Sequence, residues 1–185
     1  MFSKKIISAL AIAIVSLSSV TVSAQKLVAS KTHIKFFSST PAEDIEANNY
    51  KTVGTLDKTT GKIVFSVPMQ SFEFEKSLMQ KHFNSDKFLD TKTNPKAKLI
   101  GNVTNIADLD FSKDGSFDID VTGKLTINGV SNDINEKAVI KIEGGKVSLN
   151  SKFNVELNLY KVAFEKGKPS KNIAKTVEVT VEAIY

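Results

Sequence analysis

A chain of 185 residues with formal charge +5, no cysteine and no tryptophan excludes thiolate catalysis, cysteine-held zinc or iron–sulfur centres and disulfide stapling. Its lysines alternate singly with Asp and Glu instead of forming a dense basic stripe with stacking aromatics, which argues against nucleic acid as a partner.

Residues 1–24 have a basic start (Lys4, Lys5), an apolar run from Ile6 to Val15 and a small-residue end, Val22-Ser23-Ala24. That is the three-part pattern of a cleaved secretory signal peptide, with cleavage expected after Ala24. The run falls short of the roughly 20 apolar residues needed to span a bilayer, and Gln25 stands where a lipoprotein would carry cysteine. A periplasmic or secreted protein with no stable membrane anchor is therefore expected. Residues 25–185 then form one domain, and two of the five positive charges leave with Lys4 and Lys5, so its balance is +3.

The mature chain opens with a strand over Thr32–Ser39 that begins near His33. Pro41–Asn49 (PAEDIEANN) reads as a short helical or 3₁₀ turn. Asp57-Lys-Thr-Thr-Gly61 is turn chemistry, and Ile63, Phe65 and Val67 alternate with polar residues as in a strand. Lys76–Phe88 places Leu78, Met79, His82 and Phe83 at the spacing of a short helix. Beyond the turn at Lys113-Asp-Gly115, Phe117, Ile119 and Val121 stay in phase with Leu125 and Ile127 across Gly123. After Glu143-Gly-Gly145, alternation runs from Val147 through Phe153 and Val155 to Leu159, and it returns at Val177, Val179 and Val181. One dry and one wet face along most strands means an antiparallel sheet. Closure removes exposed edges, so the fold class is all-β: a single antiparallel β-barrel of about eight strands with one or two short helices.

Catalytic chemistry finds little support. His33 and His82 are the only histidines, and no His-x-His or His-x-x-x-His spacing pre-forms a metal site. Asp110-Phe-Ser-Lys-Asp-Gly115 starts like an EF-hand loop, but Val121 occupies the position of the bidentate glutamate. Asp118 with Asp120, and Glu178 with Glu182, fall on the wet face as solvated carboxylates. Nucleophile-elbow and phosphate-loop motifs are absent. No metal, no cofactor and no catalytic residue is therefore assigned.

Three stretches carry a family resemblance. Met79-Gln-Lys-His-Phe-Asn-Ser-Asp-Lys-Phe-Leu-Asp90 followed by Asn94-Pro-Lys-Ala-Lys-Leu99, then Val121-Thr-Gly-Lys-Leu-Thr-Ile-Asn-Gly-Val130, and finally Phe153–Leu159 with Ile173–Val181, resemble the YceI-like family of polyisoprenoid-binding periplasmic proteins. The matches keep their order over most of residues 30–185. The resemblance implies a lipocalin-like barrel, a hydrophobic tunnel for an isoprenoid or other long lipid, and no established enzymatic step. Thr40–Asn49 departs from the family pattern, as do Phe83 and Asn94, where Leu and Tyr are frequent.

The function expected is thus a binding protein, not an enzyme: a polyisoprenoid, isoprenoid quinone or fatty-acyl chain held inside the barrel as carrier or store. Alternation and the helix nominate Phe36, Phe65, Val67, Phe83, Phe117, Ile119, Leu125, Phe153 and Val155 as ligand-binding residues. Two other readings are an enzyme using His33 or His82, and a small outer-membrane barrel, which would need aromatic girdles that a chain without Trp and with three Tyr lacks. The assembly state stays open, a homodimer included.

Overall fold

Side chains that alternate between dry and wet can be satisfied only by strands whose two faces differ, and most of the described chain adopts them. The computed structural model describes residues 25–162, 164–165, 168–169 and 172–185, so the expected leader lies outside it. In chain order the elements are β1 (Lys26–Val28), β2 (Lys31–Ser39), β3 (Asp44–Asn49), β4 (Val53–Asp57), β5 (Lys62–Pro68), β6 (Glu73–Phe74), α1 (Ser77–Asn84), β7 (Lys96–Val103), β8 (Gly115–Ile127), β9 (Val130–Glu143), β10 (Lys146–Glu156), β11 (Phe164–Glu165), β12 (Lys168–Pro169) and β13 (Thr176–Ile184).

The ring closes through one bent hairpin. Lys26 faces Asp57 and Val28 faces Thr55 between β1 and β4; the same register resumes between β2 and β3, where Ile34 faces Asn49 and Ser39 faces Asp44. Ala29 N–H donates to Gly54 O at 2.9 Å inside the interval, so β1–β2 and β3–β4 are two long strands, each bent once. On its other edge β2 pairs with β13, Lys31 facing Ile184 and Phe37 facing Glu178. Taken with β5, β7, β8, β9 and β10, these bent strands and β13 make eight antiparallel staves around a barrel.

Two buried side chains hold the bend, Asn49 fully enclosed and Thr32 at the margin. Asn49 Nδ2 donates to Pro68 O at 2.8 Å, while Asn49 Oδ1 accepts from Lys51 N–H at 2.9 Å and Thr52 Oγ1 at 3.2 Å. Thr32 Oγ1 donates to Thr52 O at 2.7 Å. The stretch expected as a helical turn at Pro41–Asn49 is therefore corrected: it is a bend followed by strand β3. Ala47 and Asn49 are fully buried, and pairing with β2 outweighs the helix propensity of its Ala and Glu residues.

The turns follow the sequence reading. Asp57 accepts from the Thr60 and Thr59 amides at 2.8 and 2.9 Å, which hold its carboxyl below the usual range, and Gly61 takes φ 71°. The reversals at Asn128-Gly129 and Gly144-Gly145 have positive φ at both residues, the geometry that suits tight hairpins. The apolar alternation expected to run to Leu159 as strand stops at Glu156. There the last β13 pair, Glu156 with Thr176, is followed by a 3₁₀ turn, Leu157–Tyr160, closed by Lys161 at φ 56°. The helix expected over 76–88 is shorter, and Phe83 is its buried residue.

One ladder is incomplete. β9 pairs with β8 along its full length, from Gly115 facing Ile142 to Ile127 facing Val130. Its ladder with β10 stops at Ala138 facing Ser151, where Ser151 Oγ donates to Lys137 O at 2.7 Å. Val130–Lys137 and Lys152–Glu156 thus part toward the end of the barrel that carries α1. The 3₁₀ turn sits beside this opening, anchored by Asn132 Nδ2 donating to Leu159 O at 2.9 Å.

Gly101 and Gly123 face each other across β7 and β8. A Cβ on Gly123 would lie 2.4 Å from Ile100 O and 2.5 Å from Gly101 Cα, and backbone cannot move aside as a side-chain tip can. Gly123→Ala is expected to cost about 1–3 kcal/mol through overpacking, read as a lower urea midpoint. An unchanged midpoint would mean the two strands are free to separate.

Candidate functional site

Register decides which side chains enter the barrel, and two apolar clusters result. Near α1 are Ile34, Ala47, Met69, Phe72, Phe83, Leu89, Val155, Tyr160 and Val177. At the opposite end are Leu56, Ile63, Phe65, Val103, Ile119, Ile140, Ile142 and Leu149, closed by Ile106, Leu109, Phe111 and Tyr185. Val181 packs against both.

Between these clusters several inward residues remain only half-buried. Phe153, Val179 and Phe36 form one cross-strand row, and Leu99 faces Leu125 on another wall, with Val67 on β5 nearby in register. All six keep intermediate exposure although their neighbours two positions along, such as Val155, Val177, Ile34 and Ala97, are buried. Each packs against one of the clusters on one side and keeps part of its surface uncovered.

The nine nominated residues divide accordingly. Phe36, Val67, Leu125 and Phe153 are inward, half-buried and packed on the α1-end cluster, while Phe83 and Val155 are buried within it. Phe65, Phe117 and Ile119 belong to the opposite cluster; Phe65 and Ile119 are 3% and 1% exposed and touch protein on all sides. Alternation gives a face but not a height along the barrel, so these two groups could not be separated in the sequence. Leu99, Val179 and Val181 were not nominated, although the last two sit in an alternating run and carry the same signal.

Phe83 anchors the helix end. Its ring centroid lies 5.7 Å from Phe36, 5.5 Å from Phe72, 5.0 Å from Phe74 and 6.1 Å from Phe88, distances at which tilted and offset aromatic pairs attract. Ser85 Oγ donates to His82 O at 2.7 Å, and Thr91 Oγ1, fully buried, donates to Asn84 Oδ1 at 2.9 Å. These bonds end the helix and turn the chain back to β7.

The lumen also holds polar groups that the sequence reading did not single out. Asn132, Ile134 and Glu136 alternate on the inward face of β9, with Glu136 opposite Val121. Burial raises the Glu136 carboxyl above its ordinary range. Burial likewise raises the Tyr160 phenol; a side-chain hydrogen bond with Asn132 pulls it back, and the charge of Glu136 pushes it up again. The three side chains therefore share one neighbourhood beside the opening between β9 and β10.

Other candidates lie outside. His33 is on the outer face of β2, with Nδ1 3.1 Å from Glu182 Oε2, Nε2 2.8 Å from Asn48 Oδ1 and its ring stacked on Tyr50 at 4.7 Å. His82 is exposed on α1. Asp120 pairs with Lys137 at 2.9 Å and Glu178 with Lys152 at 2.8 Å. Asp110 is drawn well below the carboxylate range by Lys113, 2.8 Å away, and by Ser112. An outer hollow of about 430 Å³ over Gly101 and Gly123 is rimmed by Lys62, Lys124 and Asp133, charged groups that suit water better than an apolar chain. Among the described residues no helix is long and apolar enough to cross a membrane.

Two outcomes follow. Phe83→Ala should cost about 3–5 kcal/mol as a core truncation, whereas Phe153→Ala, removing a lining residue that solvent already reaches, should cost clearly less; paired urea titrations test the ranking. Since the Glu136 carboxyl is raised in the folded state, the folded state favours the acid form. Its contribution is present at low pH and is lost as pH rises through the raised value. Glu136→Gln should flatten that part of a stability profile taken from about pH 4 to 7, and an unaltered slope would place the carboxyl in water.

The architecture has relatives of known structure. Burkholderia cenocepacia BcnA superposes with a TM-score of 0.69 at 16% identity, covering 83% of this chain and 96% of that one. A polyisoprenoid binding domain from Saccharophagus degradans, implicated in plant cell wall breakdown, gives 0.73 at 15% identity, covering 88% and 98%. The Campylobacter jejuni YCEI protein gives 0.55 at 16%, covering 100% and 92%. At these identities the likeness is one of fold. A comparison with curated proteins finds no match. The YceI-like domain model matches residues 16–185, nearly the whole chain and all of the barrel, and the protein belongs to the YceI-like family.

Proposed function

We propose that the protein binds a long apolar ligand, a polyisoprenoid, an isoprenoid quinone or a fatty-acyl lipid, in the lumen, and carries or stores it chemically unchanged. The observation behind this reading is the set of inward, half-buried apolar residues between the two clusters, Phe36, Val67, Leu99, Leu125, Phe153 and Val179. Each methylene that leaves water for such a surface contributes about 0.8 kcal/mol, so a chain of several isoprene units gains enough to offset the cost of being ordered. The polyisoprenoid-binding relative from Saccharophagus degradans, which shares the barrel, supports the same ligand class. The pattern of residues 1–24 supports cleavage after Ala24 and action in the periplasm or outside the cell.

Native mass spectrometry of the protein purified from its own source, followed by organic extraction, tests the reading. A stoichiometric mass that extracts as an isoprenoid or acyl lipid is the expected result. A ligand-free protein that also refuses added lipids would overturn it. Phe153→Asp, placed on the lining wall, should abolish uptake while leaving the far-UV circular dichroism of a β-barrel, and retained uptake would remove that wall from the site.

A further inference from the structure

The inward rows of the barrel carry few polar atoms, and most are already engaged. Thr32, Asn49 and Ser151 are bonded to backbone as described above, and Ser38 Oγ accepts from Ala174 N–H at 2.9 Å. No lysine, arginine or histidine of the described strands occupies an inward position in the register. Glu136 is the one inward side chain that can carry a charge, and it has no hydrogen-bond or ion-pair partner among the described residues. It stands where β9 has left β10, with Asn132 two inward positions nearer the helix end, beyond Ile134, and Tyr160 beside it. Its carboxyl is only partly buried, so water still reaches it at the opening; a ligand head that covers it must supply a hydrogen-bond donor in place of that water.

We propose that this opening seats the head of the apolar ligand and selects an uncharged, hydroxyl-bearing head, an alcohol or a phenol, over a phosphate or carboxylate. The hydroxyl donates to Glu136, and the Tyr160 hydroxyl beside it supplies a further hydrogen bond to its oxygen. The apolar tail then runs over Phe153, Val179 and Phe36, the row that begins across the gap. An anionic head meets the like charge of Glu136 with no inward cation to compensate, and its desolvation goes unrepaid. This inference rests on the lumen binding an apolar chain at all. It names the head group that such a chain should bear.

The interior offers one competing seat. The Tyr185 hydroxyl is buried without a partner, but it lies in the cluster at the opposite end of the barrel and carries no charge with which to discriminate between heads.

The test is a competition between two ligands with the same tail, geranylgeraniol and geranylgeranyl monophosphate, offered together to the delipidated protein and read by native mass spectrometry. The alcohol should bind at least about tenfold more tightly, the effect of one charge-assisted hydrogen bond gained against one like-charge contact. Glu136→Gln, which keeps the shape and removes the charge, should bring the ratio close to parity, mainly by letting the phosphate in. Tyr185→Phe should leave the ratio unchanged. Equal binding or a phosphate preference in the unaltered protein would overturn the inference, as would a folded Glu136→Gln variant with the original ratio, or loss of selectivity in Tyr185→Phe. Failure of both ligands to bind would instead overturn the lumen as a lipid site, a distinguishable result.

Discussion

A strand can serve as both first and last stave of a barrel only if it pairs on two edges, and here that depends on how Asn49 is bonded inside the first hairpin. Its amide nitrogen reaches Pro68 O and its oxygen takes two donors, Lys51 N–H and Thr52 Oγ1. An unmet amide at that depth would cost about 1–3 kcal/mol for each polar group left bare. With all three bonds made, the polypeptide turns between β3 and β4 without losing register with β1 and β2. The β2 edge is thereby presented to β13 while β4 meets β5, and the sheet closes instead of ending in two exposed edges.

Closure fixes the circumference but not the filling. The end farthest from α1 is packed with branched aliphatics at 0–5% exposure, including Leu56, Ile63, Val103, Ile140 and Leu149. The α1 end is filled by rings that meet around Phe83. Between them the row Phe153, Val179, Phe36 and the pair Leu99 and Leu125 stay half-buried. Gly101 and Gly123 occupy facing inward positions where the two backbones approach too closely for any Cβ.

Most of the strands were legible because alternation is a direct record of a one-sided sheet. Ile63–Val67, Phe117–Ile127 and Val177–Val181 lie as their pattern indicates. Residues 41–49 were not legible, since Ala and Glu favour helix locally and only the pairing of Ala47 with Phe36 reveals the strand. β9 was also obscure for a physical reason: Asn132 and Glu136 stand on its inward face, so its alternation is broken there. The parting of β9 from β10 leaves no trace in composition at all, and neither does the height along the barrel that sets Phe65 and Ile119 apart from Phe36 and Phe153. Local pattern reports the face of a strand; which neighbour it lacks is a property of the closed ring.

Every ladder around the ring but one joins neighbouring staves in chain order, with β6 and α1 inserted between β5 and β7 and β11 and β12 between β10 and β13. The exception is β13 with β2, where Ser30 N–H and Oγ both donate to Ile184 O across a separation of 154 residues. A meander of neighbours can form early from cheap, short loops, whereas the seam must close a loop nearly as long as the domain. During synthesis the first hairpin is available long before its partner, and until residues 176–184 emerge its β2 edge is unpaired. The ring can therefore close only once its last strand is in place against β2.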